Sequence, residues 1–284
     1  MKRVARIGLV LGVLVACDRL QPTTGPSQLG SSGVLAATGT PIFSEDFESD
    51  SLDAWQDGVD PARHRIVTDA SRAQSGSRYL SVTYPAGRDG GWMTRFFMPG
   101  YEALRVSLYV RFPRNWVGGT KIVGLYGSRI DDQWSAFGKA GLCPKGSDFF
   151  DAMLLTQDTG NPGPLKFYTY FVGMSREPDG VTCWGRYGDR EVRNASYAGA
   201  STLRLDQWQL IEFEVRLNSP GQSDGAQTFW VNGVLGASWN GISFRNSDVL
   251  RLNAAQLSFS SGSSGVERTQ QLDIDEIVVR RLDF

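Results

Sequence analysis

The sequence has 284 residues, with 29 Lys and Arg against 30 Asp and Glu, for a net charge of −1; this balance excludes a nucleic-acid surface or a polybasic membrane patch built on bulk charge. Its single histidine, His64, excludes a multi-histidine zinc site, and any Ser-His-Asp or Cys-His site would have to use it. Thirty-three glycines and eight tryptophans fit an all-β chain with many turns, and a sandwich of this length forms one domain.

The chain opens "MKRVARIGLVLGVLVACDRL", with Lys2, Arg3 and Arg6 ahead of an apolar run from Ile7 to Ala16. The run is too short to span a bilayer and reads as a secretory signal. It ends in Leu14-Val15-Ala16-Cys17, which resembles the bacterial lipobox, whose cysteine becomes the lipidated first residue of the mature protein. Residues 1–17 are therefore expected to be a lipoprotein signal and Cys17 the lipidation site. The expected location is the bacterial cell envelope, periplasmic or surface-facing, with membrane contact through the lipid anchor only. Residues 18–40 are rich in Gly, Ser, Thr and Pro and read as a flexible tether reaching roughly 25 Å. The folded domain is expected over 41–284. In an exported chain the two remaining cysteines, Cys143 and Cys183, favour a disulfide closing a loop of about forty residues.

Alternation then predicts strands in chain order: Ile42–Phe47, one starting near His64, Arg78–Tyr84, Trp92–Phe97, "ALRVSLYVRF" at 103–112, Thr120–Tyr126, Asp148–Leu155, Leu165–Val172, "LIEFEVRLN" at 210–218, Gln227–Asn232, Leu252–Ser260 and Leu272–Arg280. His64, between two arginines, is expected to be exposed. "VNGV" at 231–234 supplies an Asn-Gly hairpin turn. In "QLDIDEIVVRR" the alternation slips by one place, which predicts a bulge near Asp275. No window holds a long helical period. The pattern predicts an all-β sandwich of two antiparallel sheets, with first and last strands paired as in a jelly roll. There Glu48 and Asp275, among clustered carboxylates, are candidate ligands for a structural calcium ion; solvated acidic turns account for them equally well.

"GGTKIVGLYGSR" at 118–129 puts Lys121 at the head of an apolar strand, where strict alternation would turn it to the side of Val123 and Leu125. This stretch, with "GLCPKGSDFF", "KFYTYF" and "CWGRYG" further on, resembles the alginate and glucuronate lyases of polysaccharide lyase family 14. The resemblance implies a concanavalin-like jelly roll and an acidic polysaccharide or oligosaccharide as partner. It places Lys121 on the family's active-site lysine, and Tyr168 and Tyr170 on its Tyr-x-Tyr pair. Lys166 lies beside them, Arg129 is a candidate carboxylate clamp, and Tyr126 and Trp134 are candidate sugar-stacking rings. The family's Phe-Ser-x-Arg pattern on the preceding strand is missing: the chain reads Phe149-Phe150-Asp151-Ala152-Met153, which places a carboxyl where a polyanion would pass.

These residue types suit β-elimination on a uronate. Its carboxylate must be neutralised, a base must take the C5 proton, and an acid must protonate the leaving O4. A lysine or tyrosine of lowered pKa can be the base and a tyrosine the acid, so neither histidine nor a cofactor is required. Two other classes remain open from the residues alone: a non-catalytic carbohydrate-binding lipoprotein, and a lipid-anchored structural subunit of an envelope complex. Glu212 and Glu214, about 6–7 Å apart on one strand face, suit glycoside hydrolysis, but Arg216 beside them points to an ordinary charged exterior.

Overall fold

The computed structural model describes residues 39–157, 161–187, 195–197, 202–262 and 265–283, all within the unit Val34–Phe284. The expected signal, Cys17 and most of the expected tether lie outside the described residues. The described strands are β1 (Thr40–Glu45), β2 (His64–Thr68), β3 (Arg78–Tyr84), β4 (Trp92–Tyr101), β5 (Ala103–Arg111), β6 (Thr120–Arg129), β7 (Phe150–Thr156), β8 (Leu165–Tyr170), β9 (Ala195–Tyr197), β10 (Gln209–Arg216), β11 (Gly225–Val231), β12 (Val234–Ile242), β13 (Leu250–Ser258) and β14 (Gln270–Arg281). None of the described residues is helical, and no helix among them is long and apolar enough to cross a membrane. The expected strands recur with ends shifted by a few residues. Only β9 and the second hairpin arm, β12, were not delimited by the sequence pattern.

Two antiparallel sheets form the sandwich. One runs β2-β3-β14-β5-β10-β11-β12-β9, with β1 also on β14; the other runs β4-β13-β6-β7-β8. The long β14 joins the ends of the chain: Gln270–Ile274 pair with β3, and Ile277–Arg281 pair with β1. The slip in its alternation is a bulge, since its register against β5 shifts between Asp275 and Val278, and Glu276 takes φ 52°. The β11–β12 turn is Asn232-Gly233, at φ 51° and 76°, the left-handed pair that matches strand twist in a two-residue hairpin.

Each sheet turns one apolar face inward. Leu104, Val106, Leu108 and Val110 of β5 and Ile211, Phe213 and Val215 of β10 come from one side. Val123 and Leu125 of β6, Leu154 of β7 and Phe167 of β8 come from the other, all essentially inaccessible to solvent. Phe167 crosses the gap, with its ring centre 5.2 Å from Phe229 and 6.2 Å from Trp239. A buried polar link adds to this: the Gln227 amide donates to the Thr169 hydroxyl at 2.8 Å. Glu212 and Glu214 face outward and are both engaged by Arg105, at 3.7 and 2.5 Å. The carboxylate pair considered for hydrolysis is thus part of a charged exterior.

His64 departs from expectation. It is 2% exposed, because β2 packs under the 89–91 loop rather than standing at the surface. Its Nδ1 accepts the Asp60 N–H at 3.0 Å, which leaves Nε2–H to donate to the Gly90 carbonyl at 2.9 Å. The Asp60 bond needs the neutral ring, and burial holds the His64 pKa below the usual histidine value although the Gly90 carbonyl favours the charged form. A depressed folded pKa means that the unfolded chain binds the extra proton, so this contribution is whole above the unfolded pKa of about 6.5 and is lost as pH falls through the folded value. Thermal unfolding followed from pH 7.5 to 5 should show a loss of stability in the native chain that is absent from His64→Gln; parallel pH profiles would exclude this assignment.

Candidate active site

The site begins with one extra residue in β6. Against β7, Lys121 pairs with Leu155 but Val123 pairs with Leu154, so Ile122 is inserted as a bulge. Directly opposed residues share a face. Val123 and Leu125 stay with the core residues Leu154 and Ala152, whereas Lys121 joins the row Leu155 and Lys166 on the outer face. Strict alternation misplaces Lys121 here: the bulge turns it away from the core side of Val123 and Leu125. Beyond the bulge the outer face continues as Gly124, Met153 and Tyr168, then Tyr126, Asp151 and Tyr170.

Lys121, Tyr168 and Tyr170 therefore meet on one face. The Lys121 ammonium lies 5.0 Å from the centre of the Tyr168 ring, and the Tyr168 and Tyr170 hydroxyls are 3.5 Å apart. Lys121 and Tyr168 are half-buried, while Tyr170 is 2% exposed and lies behind Tyr168. Burial holds the Lys121 pKa below the ordinary lysine value, against the opposing pull of Asp151 and Asp89. Burial and the neighbouring Tyr168 hydroxyl push the Tyr170 phenol up, while the Gly141 N–H that it accepts acts the other way.

The surroundings fix the two rings. Gly185 leaves room for Tyr168: a Cβ there would sit 2.5 Å from the ring. Gly124 does the same for Tyr126 at 2.6 Å. Cys143 and Cys183 form the expected disulfide, with Cα atoms 5.0 Å apart. It joins the loop carrying Gly141, which caps Tyr170, to the loop carrying Gly185, which abuts Tyr168; the Cys183 N–H also donates to the Gly141 carbonyl at 3.1 Å.

Tyr126 is corrected from a sugar-stacking ring to part of the groove floor. It is 6% exposed, Phe137 stacks on it at 5.1 Å, and its hydroxyl donates to Gln256 Oε1 at 2.9 Å. Gln256 in turn donates to the Thr94 hydroxyl at 2.8 Å. Trp134 stays available, 47% exposed and edge-on to Phe96 at 4.8 Å. Arg129 is corrected as well. It lies at the far end of β6, about 25 Å from Lys121 by strand rise. Its guanidinium grips Asp131 at 2.8 and 2.9 Å and the Ser147 carbonyl at 3.2 Å. Lys166 is in the Lys121 row, two strands away.

Asp151 is the residue whose place the sequence left unexplained. It is 6% exposed, its Oδ1 has no hydrogen-bond partner, and burial pushes its pKa up to about 8 despite Lys121 and Lys139. Its signal in the sequence is a lone carboxyl on a strand that is otherwise apolar on both faces.

Glu48 and Asp275, considered for calcium, lie on opposite sides of the 74–78 loop and accept its amides. Glu48 takes the N–H of Ser77 and Arg78 at 2.7 and 2.6 Å, and Asp275 takes that of Gln74 at 3.0 Å. Among the described residues no group of three or more His, Cys, Asp or Glu is placed to hold a metal ion.

Lys121, Tyr168 and Tyr170 thus share the outer face of the smaller sheet of a jelly roll. The family model Polysaccharide lyase 14 matches residues 73–267, and the chain belongs to that family. The fold is similar to that of the PL-14 alginate lyase from Aplysia kurodai (TM-score 0.63, 17% identity, covering 85% of this chain and 99% of that one). It is also similar to the alginate lyase vAL-1 from Chlorella virus (0.60, 15%, 85% and 100%) and to the endo-β-1,4-glucuronan lyase from the fungus Trichoderma reesei (0.54, 15%, 85% and 96%). No curated protein matches the sequence significantly.

Opening the disulfide should cost about 2–4 kcal/mol, since it closes a loop of 40 residues. Urea denaturation of Cys143→Ser/Cys183→Ser should reveal that loss. The same variant should nitrate faster at Tyr168 and Tyr170, because both capping loops are released.

Proposed function

We propose that the chain is a lipid-anchored bacterial lyase that cleaves a uronate-containing polysaccharide by β-elimination, with Lys121 as base and Tyr168 as acid. The observation that carries this is the convergence of Lys121, Tyr168 and Tyr170 on one groove face. Burial lowers the Lys121 pKa, so that a neutral amine is populated at lower pH than for a free lysine. The amine takes the C5 proton, the C5–H electron pair forms the C4=C5 double bond, and the C4–O4 bond breaks. The departing O4 takes the Tyr168 hydroxyl proton. Tyr170, capped by the Gly141 N–H, can turn its own O–H toward Tyr168 and hydrogen-bond the phenolate until solvent returns its proton. Trp134, exposed at one end of the groove, offers a face to a sugar ring, and Lys166 supplies a cation in the Lys121 row.

Membership of the family and the fold of the alginate and glucuronan lyases support an acidic polysaccharide as substrate. Location in the cell envelope, through Cys17 and the tether that follows, belongs to the same proposal.

Incubation of the soluble domain with alginate and polyglucuronate should raise the absorbance of an unsaturated uronate. Lys121→Ala should abolish the rise, and Tyr168→Phe should cut it by about 10²–10⁴-fold, with both variants still folded by circular dichroism. Binding without absorbance would instead support a carbohydrate-binding module, and neither would point to a protein partner. Expressed full-length in a bacterium, the native chain should fractionate with membranes and incorporate labelled palmitate, and Cys17→Ser should do neither.

A further inference from the structure

β-Elimination also needs a group that holds the uronate carboxylate while its C5 proton is removed. Lys166 supplies a cation, but two strands away from Lys121 and over the Tyr187 ring at 5.8 Å. Arg129 is spent on Asp131 and Ser147. Lys121, if it acts as the base, is neutral when it does so. The Gln256 amide is bonded to Tyr126 and Thr94. On the same face, between Tyr126 of β6 and Tyr170 of β8, sits Asp151, 94% buried with a carboxyl oxygen that has no partner. Among the described residues it is the one carboxyl oxygen that is buried without a partner, and such a group calls for one.

We propose that Asp151 is the carboxylate-recognition group of this groove, donating a hydrogen bond from its protonated carboxyl to the uronate carboxylate, on the strand where the lyases that the sequence resembles carry serine and arginine. This deepens the lyase reading and rests on it. A carboxylic acid pairs with a carboxylate through a short, charge-assisted O–H···O bond, and in that form it sets no negative charge in the path of a polyanion. The groups facing it are Tyr126, Tyr170, Lys121 and Lys139. The phenols add no positive charge, and the two lysines pull against burial without undoing it, so the acid form persists to a pH of about 8. Above that pH the ionised Asp151 repels the substrate, and recognition is lost as pH rises.

The test is calorimetric binding of an alginate oligosaccharide between pH 6 and 9.5, with a neutral glucan as control, on the native chain, Asp151→Asn and Asp151→Ala. Lys121→Ala, made in each background, keeps chains intact and removes the lysine's own titration. The expected result is that binding by the chain that keeps Asp151 weakens about tenfold or more as its carboxyl ionises, the size of one hydrogen bond to a charged group; the fall lies above pH 8, because Lys121, which lowers that pKa, is removed. Asp151→Asn, which keeps a donor, should bind with no such fall, and Asp151→Ala should bind weakly at every pH. An infrared band of a protonated carboxyl, present in the native chain at pH 7 and absent from Asp151→Asn, gives a readout independent of sugar. If the native chain binds uronates and Asp151→Asn shows the same pH fall, or Asp151→Ala binds as tightly, the role of Asp151 is overturned while the lyase reading stands. If the native chain binds no uronate at any pH, both fall together. Should Asp151→Ala fail to fold, Asp151→Asn and the infrared band decide alone.

Discussion

The single inserted residue in β6 is the constraint on which the site depends. A strand buried on one face cannot normally carry a lysine in the core row, because desolvating an ammonium costs far more than a lysine stem returns. The register shift between Lys121 and Val123 resolves the conflict by letting the chain cross from one side of the sheet to the other. Ile122, Val123 and Leu125 remain wholly buried, and Lys121 is delivered to the outer face beside Tyr168. Without the bulge the same sequence would aim the lysine inward, away from the phenols.

Around that residue the groove is assembled from groups whose ionisation is set by burial. Lys121 is pushed down, and Tyr170 and Asp151 are pushed up. All three shifts favour the neutral form, as expected where desolvation outweighs the partial compensation of distant partners. An amine and a carboxyl whose charged forms are both disfavoured by burial thus share a face. The rest of the wall is apolar or internally satisfied, as in the Tyr126–Gln256–Thr94 chain.

Much of this was legible in the sequence. Strand alternation located most of the strands, the phase slip in "QLDIDEIVVRR" marked a real bulge at Asp275, and the spacing of Tyr168 and Tyr170 put both on one face. The bulge at Ile122 was not legible, because "KIVGL" is apolar at every place but one and an inserted apolar residue leaves no gap in the pattern. His64 was misjudged for a related reason: flanking arginines suggest solvent, yet alternate strand residues face opposite ways, and only the packing of the 89–91 loop decides which side is covered. Arg129 and Tyr126 failed as predicted because a side chain's partners in space, Asp131 in one case and Phe137 and Gln256 in the other, are not encoded by its position along a strand.

The glycines beneath the rings carry a further meaning. At 124 and 185 the missing Cβ is the socket into which Tyr126 and Tyr168 settle, so part of the groove's contour is written in atoms the chain lacks. A methyl at either place would act at a distance by tilting an aromatic plane, and at 185 it would move the Tyr168 hydroxyl relative to that of Tyr170. Drift at these two positions would then reshape the face from beneath, with no change in the residues that line it.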